Sequence, residues 1–241
     1  MALDHIVGLA KRQQQLSDSD AQALLSFISA PKPEGLTDGE WEERVNVVLN
    51  ALRVQENDVP GLVDFLLKTA EGHPSRILRL YAMQHLALWH HREGDAGKRQ
   101  EIVSLFERLA GRDGEESAGA AVMFLNDLSV QSVDSGEGVP DSRFIARVAL
   151  KLAADPLAKQ DVRISALHTC IERGMGEVLP AARSIAEDAS AVLPLRKAAI
   201  HAIGQLGGEE DVELLAELEL QTPDLKPATA SALNRLNNSK R

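Results

Sequence analysis

The sequence of 241 residues is poor in several features, and each shortage excludes a class of protein. It has a single cysteine, Cys170, so neither an intrachain disulfide nor a zinc site built from several thiolates can form. No apolar run approaches the roughly 20 residues that are needed to cross a bilayer. The first residues include an acidic side chain and lack a long apolar core, so we expect no secretory signal and a cytoplasmic location.

Aromatic and basic residues are also scarce. Aromatics make up 3% of the chain, and 26 Lys and Arg face 36 Asp and Glu, for a net charge of −10. Because nucleic-acid affinity depends largely on neutralising phosphates, this acidic balance disfavours DNA, RNA and anionic membranes as partners. Runs of alternating β-branched residues are missing, whereas Ala and Leu, which favour helices, are abundant. The sequence therefore predicts an all-α protein.

Residues 1–39 are predicted to form an N-terminal helical cap followed by a linker. Ser17 stands before an apolar stretch, at the place where a helix N-cap is expected. A linker rich in Pro and Gly follows and stops this helix. Thr37 and Glu40 then have the spacing of a capping box, which predicts that the next helix begins here.

Residues 40–241 are predicted to form one continuous unit of about five helix pairs and a terminal helix. Clusters of Gly, Pro, Asn and Asp separate the two helices of each pair. The third separation, at 132–140, is unusually long for a repeat array. Such an insertion maps to one rim of the array, often a binding rim, although a drifted loop is the alternative interpretation.

Several first helices can be superposed on a common arginine. Arg79, Arg163 and Arg196 each have Ala three residues later and an apolar residue seven residues later, which completes one helical face. Arg44 fits this pattern less well, and a degenerate copy near Ala118 lacks the arginine. Since each helix pair is amphipathic but too small to bury its own apolar face, the pairs are predicted to stack into a continuous core.

The motif at 195–199 (LRKAA), followed by the Gly-Gly break at 207–208, resembles the HEAT-like repeats, especially the short repeats of phycobilin-lyase-type proteins. The resemblance is good over 160–237 and fair over 40–110. It implies an α-solenoid of stacked antiparallel helix pairs, a HEAT-like superhelix in which the second helices line a concave groove. Such a motif specifies a fold and hardly specifies a function.

Enzymes of this architecture have sequence signatures that can be tested. The di-iron hydroxylases carry paired His-Glu motifs, and this chain has no His-Glu dipeptide. HEAT-like DNA glycosylases need a basic concave face with Trp, but the net charge opposes DNA, and Trp41 and Trp89 are expected to pack in the core or at repeat edges. Cys170 falls on the buried face, so we expect a core residue and not a nucleophile. The sequence therefore predicts no catalytic residue, no metal site and no cofactor.

The histidines form two candidate clusters. His90 and His91 lie beside acidic residues, but neighbours on a helix point about 100° apart and chelate a metal poorly, so a polar helix end is the favoured interpretation. His168 and His201 hold the same repeat position and should lie roughly 8–10 Å apart, as adjacent helices do. This distance is long for joint metal binding, so we predict two solvated side chains.

Two charge patterns supply the candidate partner-binding residues. Arg143, Arg147 and Lys151 recur every four residues on the second helix of the third pair and form a basic stripe. Glu213 and Glu217 extend an acidic cluster along the second helix of the fifth pair. Each pattern has an alternative interpretation as a solvated helix face, and acidic residues just before a helix also suit its N-terminus electrostatically.

The function predicted from these observations is a non-catalytic protein–protein interaction or scaffold module that holds a protein partner in its concave groove. The alternative from another class is an accessory protein, lyase-like or chaperone-like, that acts on a cofactor-carrying protein. A DNA-binding HEAT-like protein comes third, because the net charge opposes it.

Overall fold

The computed structural model describes residues 8, 15–55, 58–92, 95–112, 115–131 and 138–238. These residues form twelve α-helices and contain no strand, which confirms the prediction of an all-α protein. The helices are α1 (Asp18–Ser29), α2 (Asp38–Arg53), α3 (Leu62–Gly72), α4 (Arg76–His90), α5 (Ala96–Ala110), α6 (Glu116–Gln131), α7 (Ser142–Ala154), α8 (Gln160–Glu172), α9 (Leu179–Glu187), α10 (Leu193–Leu206), α11 (Val212–Gln221) and α12 (Lys226–Asn238). Within the described ranges, no helix is long and apolar enough to cross a membrane.

The chain divides into two compact units, residues 1–105 and residues 106–241, called unit 1 and unit 2 below. In unit 1, α1 packs on α2, and α4 packs on both α2 and α3. In unit 2, α8 packs on α6, α7 and α10, while α12 packs on α10 and α11. The helices α6, α8, α10 and α12 therefore contact one another in sequence and form a first-helix row. Their partners α7, α9 and α11 form the second-helix row.

Both predicted helix caps in unit 1 are confirmed. The Ser17 hydroxyl accepts a hydrogen bond from the backbone N–H of Asp20 at 3.1 Å. Thr37 and Glu40 form the full capping box, in which each side chain accepts from the other residue's backbone N–H, at 3.3 and 2.9 Å. The predicted N-terminal cap contains the helix α1, while the first 14 residues of the cap lie outside the described residues apart from residue 8.

Unit 2 keeps a register of 33 residues from α7 to the last helix. Along this register the same positions are apolar and buried in successive helices, so each helix presents the same face to the core. These positions are Ala149, Ala182 and Leu215 with Leu152, Ile185 and Leu218 on the second helices, and Ala166, Ala199 and Ala232 with Cys170, Ile203 and Leu236 on the first helices. The terminal helix α12 thus occupies the place of a first helix.

The repeat arginine joins one helix pair to the pair before it. Arg196 on α10 is buried, and its Nε donates to the carbonyl of Ala186 in the last turn of α9, at 2.9 Å. Arg163 on α8 donates in the same way to the carbonyl of Ala153 at the end of α7, at 3.2 Å. Carbonyls in the last turn of a helix lack an intrahelical partner, so the arginine satisfies one of them. This contact is called the arginine clasp below.

The other copies of the repeat lack this clasp geometry, including the copy at Arg79 that matched the pattern in the sequence. Arg79 donates to the carbonyl of His73, in the loop after α3, at 2.7 Å. Arg44 donates to a carbonyl within its own helix, at 3.5 Å. In α12 the arginine position is taken by Thr229, whose buried hydroxyl donates to the carbonyl of Leu225 at 3.2 Å. The poor fit of Arg44 in the sequence thus corresponds to a bond within one helix.

Glycine lets the first helices approach closely at two positions. A Cβ on Gly204 of α10 would lie 2.6 Å from the Cβ of Ala232 on α12. A Cβ on Gly119 of α6 would lie 2.8 Å from the Cα of Val162 on α8. Side chains in a packed interior do not come this close, so only glycine fits at these two crossings.

Candidate partner-binding surface

All five predicted binding residues lie on exposed faces of the second-helix row. The basic residues Arg143, Arg147 and Lys151 lie on α7, and the acidic residues Glu213 and Glu217 lie on α11. The register relates the two stripes, because Glu213 and Glu217 stand 66 residues after Arg147 and Lys151. Two equivalent helices therefore present opposite charges at equivalent positions.

The helix between them in chain order, α9, is neutral at the same positions. Its exposed residues there are Pro180 and Ser184. Helix α7 packs on α9, and Arg183 of α9 bonds to the turn that precedes α11. Because neighbouring helices lie about 8–10 Å apart, the two charged stripes are separated by about 20 Å. The seven exposed residues of this row are called the bipolar surface: Arg143, Arg147, Lys151, Pro180, Ser184, Glu213 and Glu217.

Most charges of the bipolar surface are not paired within the described part of the fold. Within the described ranges, Arg143, Arg147, Glu213 and Glu217 form no ion pair. The guanidinium of Arg147 lies 5.6 Å from the ring centre of Phe144 in its own helix, a contact that leaves its hydrogen-bond donors exposed. Four of the five charged side chains of this surface are therefore not neutralised by an ion pair within the described ranges.

The buried carboxylate beside this surface was not predicted from the sequence. Asp211 is 1% exposed, and its two oxygens accept from Arg183 of α9 at 2.5 and 3.0 Å. Burial favours the protonated acid, but hydrogen bonds from Arg183 and the Gly208 N–H, with the arginine charge, together lower the pKa of Asp211. This ion pair fastens α9 to the start of α11.

The sequence did contain a signal for this ion pair. Asp211 stands 33 residues after Val178 and 66 after Ile145, and both of those residues are aliphatic and buried. A carboxylate at a buried apolar position of a repeat requires a bonded partner. From the sequence, the acidic residues are explained by their position at a helix N-terminus. That explanation accounts for the bond from the Gly208 N–H to Asp211, but it misses the bond from Arg183, which lies 28 residues earlier.

The second histidine cluster is closer than the sequence predicted. His168 and His201 are exposed, as expected, but their ring centres lie 6.1 Å apart because the side chains lean toward each other from α8 and α10. The Nε2 of His201 lies 3.1 Å from the Gln205 amide and 3.4 Å from the Arg235 guanidinium. Partial burial, followed by the charges of Arg235 and His168, lowers the pKa of His201.

The first histidine cluster is only partly as predicted. His91 is exposed, which agrees with a polar helix end, but the prediction is wrong for His90, which is buried at the end of α4. Their ring centres lie 5.7 Å apart with nearly perpendicular planes. In the described part of the chain, no group of three or more His, Cys, Asp and Glu side chains is placed to hold a metal, and Glu93 lies outside that part.

The remaining candidates pack in the core as predicted. Trp41 and Trp89 are buried, and Trp41 contacts the ring of Phe27 edge-on with the ring centres 5.2 Å apart. Burial, together with the charge of Glu177, raises the pKa of the Cys170 thiol to about 12, so the reactive thiolate does not form near neutral pH. The long separation predicted at 132–140 lies outside the described residues except for its last three.

Comparison with protein-family models gives no match to this chain, and comparison with curated proteins gives none either.

Proposed function

We propose that the helix pairs are HEAT-like repeats and that the second-helix row of unit 2 binds a protein partner without catalysing a reaction on it. Three features support the repeat assignment: the 33-residue register, the consecutive packing of first helices, and the arginine clasp. A repeat array presents its exposed second-helix positions as one extended surface, which suits binding of an elongated segment.

The observation that carries the functional proposal is the bipolar surface. Basic residues on α7 and acidic residues on α11 hold equivalent positions about 20 Å apart, with a neutral helix between them. A partner with the complementary arrangement, acidic over α7 and basic over α11, gains favourable electrostatics in one orientation and repulsion in the reverse one. The surface thus selects both a partner and its direction.

The same arrangement disfavours a nucleic acid as the partner. A phosphate backbone is negative along its whole length, so it would be attracted at Arg147 but repelled about 20 Å away at Glu213 and Glu217. The net charge of −10 adds to this repulsion. A polypeptide can alternate its charge sign over this distance, and therefore a protein segment is the partner that fits.

The proposal is tested by reversing each stripe and measuring capture of the partner. The full chain with Arg143→Glu, Arg147→Glu and Lys151→Glu should lose a stoichiometric partner that the unchanged chain captures from native lysate and that quantitative mass spectrometry identifies. Glu213→Lys with Glu217→Lys should also lose it. Because these side chains are exposed, both variants should keep the free energy of unfolding within about 0.5 kcal/mol of the unchanged protein.

A matched control separates the effect of reversing the stripe on α7 from the effect of changing the net charge. Lys68, Lys98 and Lys226 are exposed and lie outside the bipolar surface. Their triple replacement by Glu changes the net charge by the same amount as the α7 variant and should keep the partner. The proposal fails if both stripe variants retain the partner, if the control loses it equally, or if purified protein turns over a substrate.

A further inference from the structure

A groove in the first-helix row of unit 2 has an unusual set of lining residues. It lies between α10 and α12 and has a volume of about 220 Å³. The lining residues are Lys197, His201 and Gly204 from α10, and Ala228, Ser231, Ala232 and Arg235 from α12. Gly204 and Ala232 are the close crossing of the two helices, so they form the floor, while the polar side chains form the walls.

The two helices that form the groove carry positive charge alone. Neither Leu193–Leu206 nor Lys226–Asn238 contains an Asp or Glu, although the whole chain has 36 of them. The charged residues that line the groove are Lys197 and Arg235, one from each wall, with Ser231 supplying a hydroxyl. The groove therefore presents hydrogen-bond donors with positive charge in a protein whose net charge is −10.

We propose that this groove binds a phosphate monoester group. An ammonium and a guanidinium from opposite walls can each donate charge-assisted hydrogen bonds to the oxygens of a tetrahedral dianion, and a serine hydroxyl can donate one more. The volume of the groove accommodates such a group together with part of the molecule that carries it. Gly204 lets the two helices cross closely beneath these side chains, which lie on either side of the crossing.

His201 is itself a lining residue of this groove, and its titration is sensitive to the charge there. Its Nε2 accepts from Gln205 in its own helix and from Arg235 on α12, and the ring of His168 on α8 faces it. Partial burial, followed by the charges of Arg235 and His168, lowers the pKa of His201. A bound dianion would offset these charges and raise the pKa of His201, which gives the site a spectroscopic signal.

The site is independent of the proposed partner surface, because none of its residues belongs to the bipolar surface. Loss of phosphate binding and loss of the protein partner would therefore be separate results. A phosphate monoester group can come from two sources, which are free phosphate compounds and phosphorylated side chains of proteins.

The experiment titrates inorganic phosphate into the full-length protein at constant ionic strength, with chloride as the reference anion. The ring signals of His201 and His168 are followed by NMR across pH. We expect saturable shifts with phosphate and a raised pKa of His201, with neither effect in chloride. A peptide that contains phosphoserine is the second arm, compared with its unphosphorylated form. If the phosphoserine peptide binds more tightly than inorganic phosphate, the ligand of the groove is a phosphorylated protein. If it binds equally or more weakly, the ligand is a free phosphate compound.

The variants make the test specific to the groove. Lys197→Ala with Arg235→Ala should weaken phosphate binding at least tenfold, and Arg235→Lys should retain most of it. The matched control, Lys68→Ala with Arg76→Ala, also removes two exposed cations, lies outside both proposed sites, and should bind phosphate as the unchanged protein does. Shifts that do not saturate, that chloride reproduces, or that survive the double groove variant would overturn the proposal. Circular dichroism checks that each variant is folded.

Discussion

The two units of this chain keep buried titratable groups in opposite states. In unit 1, His85 is 3% exposed, and burial, with the nearby charge of Arg53, lowers its pKa to about 4, so the ring is neutral. In unit 2, Asp211 is 1% exposed and charged, because Arg183 and a backbone N–H bond to it. The difference shows that burial without an opposite charge favours the neutral form of a side chain, whereas a buried charge persists where an opposite charge is bonded to it.

The largest expected effect is a loss of stability of unit 1 as the pH is lowered. His85 titrates near 6.5 when unfolded and at about 4 when folded, so between these values the unfolded state binds more protons. The free energy of unfolding should therefore fall as the pH is lowered from 6.5 to 4, by about 3 kcal/mol in total. Urea unfolding across this pH range, followed by hydrogen exchange of peptides from each unit, measures the effect.

A single substitution isolates the contribution of His85. The ring of this residue contacts the amide of Asn46 at 3.3 Å through Nε2, and Nδ1 has no hydrogen-bond partner among the described residues. His85→Gln removes the titration and should flatten the pH dependence of unit 1 while leaving unit 2 unchanged. If the free energy of unfolding of unit 1 depends on pH as steeply in this variant as in the unchanged protein, His85 is not the source of the pH dependence.

The second prediction concerns the charged group of unit 2. Asp211→Ala leaves the Gly208 N–H without its acceptor and leaves Arg183 with only the exposed carboxylate of Glu210. It should lower the free energy of unfolding at pH 7 by about 2–3 kcal/mol, less than for a wholly buried pair because part of the Arg183 side chain is exposed. Since the folded pKa of Asp211 is lowered, its contribution is present above the unfolded pKa near 4 and is lost as the pH falls through the folded value.

Two variants control this prediction. Glu210→Ala removes the neighbouring exposed carboxylate, which also contacts Arg183, and should change stability by less than about 0.5 kcal/mol. Asp211→Ile with Arg183→Ala restores the kind of residue found at Ile145 and should recover much of the loss. Urea unfolding at pH 7 and pH 3 measures all three proteins. If Asp211→Ala lowers the free energy of unfolding by the same amount at both pH values, the contribution of Asp211 does not depend on its ionisation, and the prediction is wrong.

The third prediction ranks the repeat arginines of the two units. Arg196→Ala should cost about 2 kcal/mol, because it removes a buried side chain and leaves the Ala186 carbonyl unpaired. Arg163→Ala should cost about 1 kcal/mol, since its clasp is longer and less buried. Arg44→Ala, in unit 1, should cost under about 0.5 kcal/mol. Thermal and urea unfolding give the order, and equal losses at all three positions would show that the clasp contributes nothing.

The smallest expected effect compares two helical glycines. Gly204→Ala in unit 2 places a Cβ against Ala232 and should destabilise by about 1–2 kcal/mol. Gly39→Ala in unit 1 meets no atom within 4 Å and should stabilise by up to about 0.5 kcal/mol, since alanine favours a helix. A lower melting temperature for Gly204→Ala and a higher one for Gly39→Ala would support the close crossing of α10 and α12. A higher melting temperature for both variants would argue against it.

The features that follow from local chemistry could be predicted from the sequence. The capping box at Thr37 and Glu40 needs only two residues three positions apart, and the buried face that includes Cys170 follows from helical periodicity. The pair of Arg183 and Asp211 could not be predicted in this way, because its members lie on different helices and periodicity orients side chains without pairing them. The burial of His90 was also missed, since it depends on what covers the end of α4.

The loss of the arginine at Thr229 has a mechanical consequence. Where Arg163 and Arg196 bridge successive helix pairs, bending one pair against the next stretches a hydrogen bond as well as displacing packed side chains. The hydroxyl of Thr229 bonds to carbonyls in the first turn of α12 and just before it, so bending α12 against the fifth pair is resisted by packing and the connecting turn without that bridge. We therefore expect the joint between the fifth pair and α12 to bend more easily than the joints that Arg163 and Arg196 bridge.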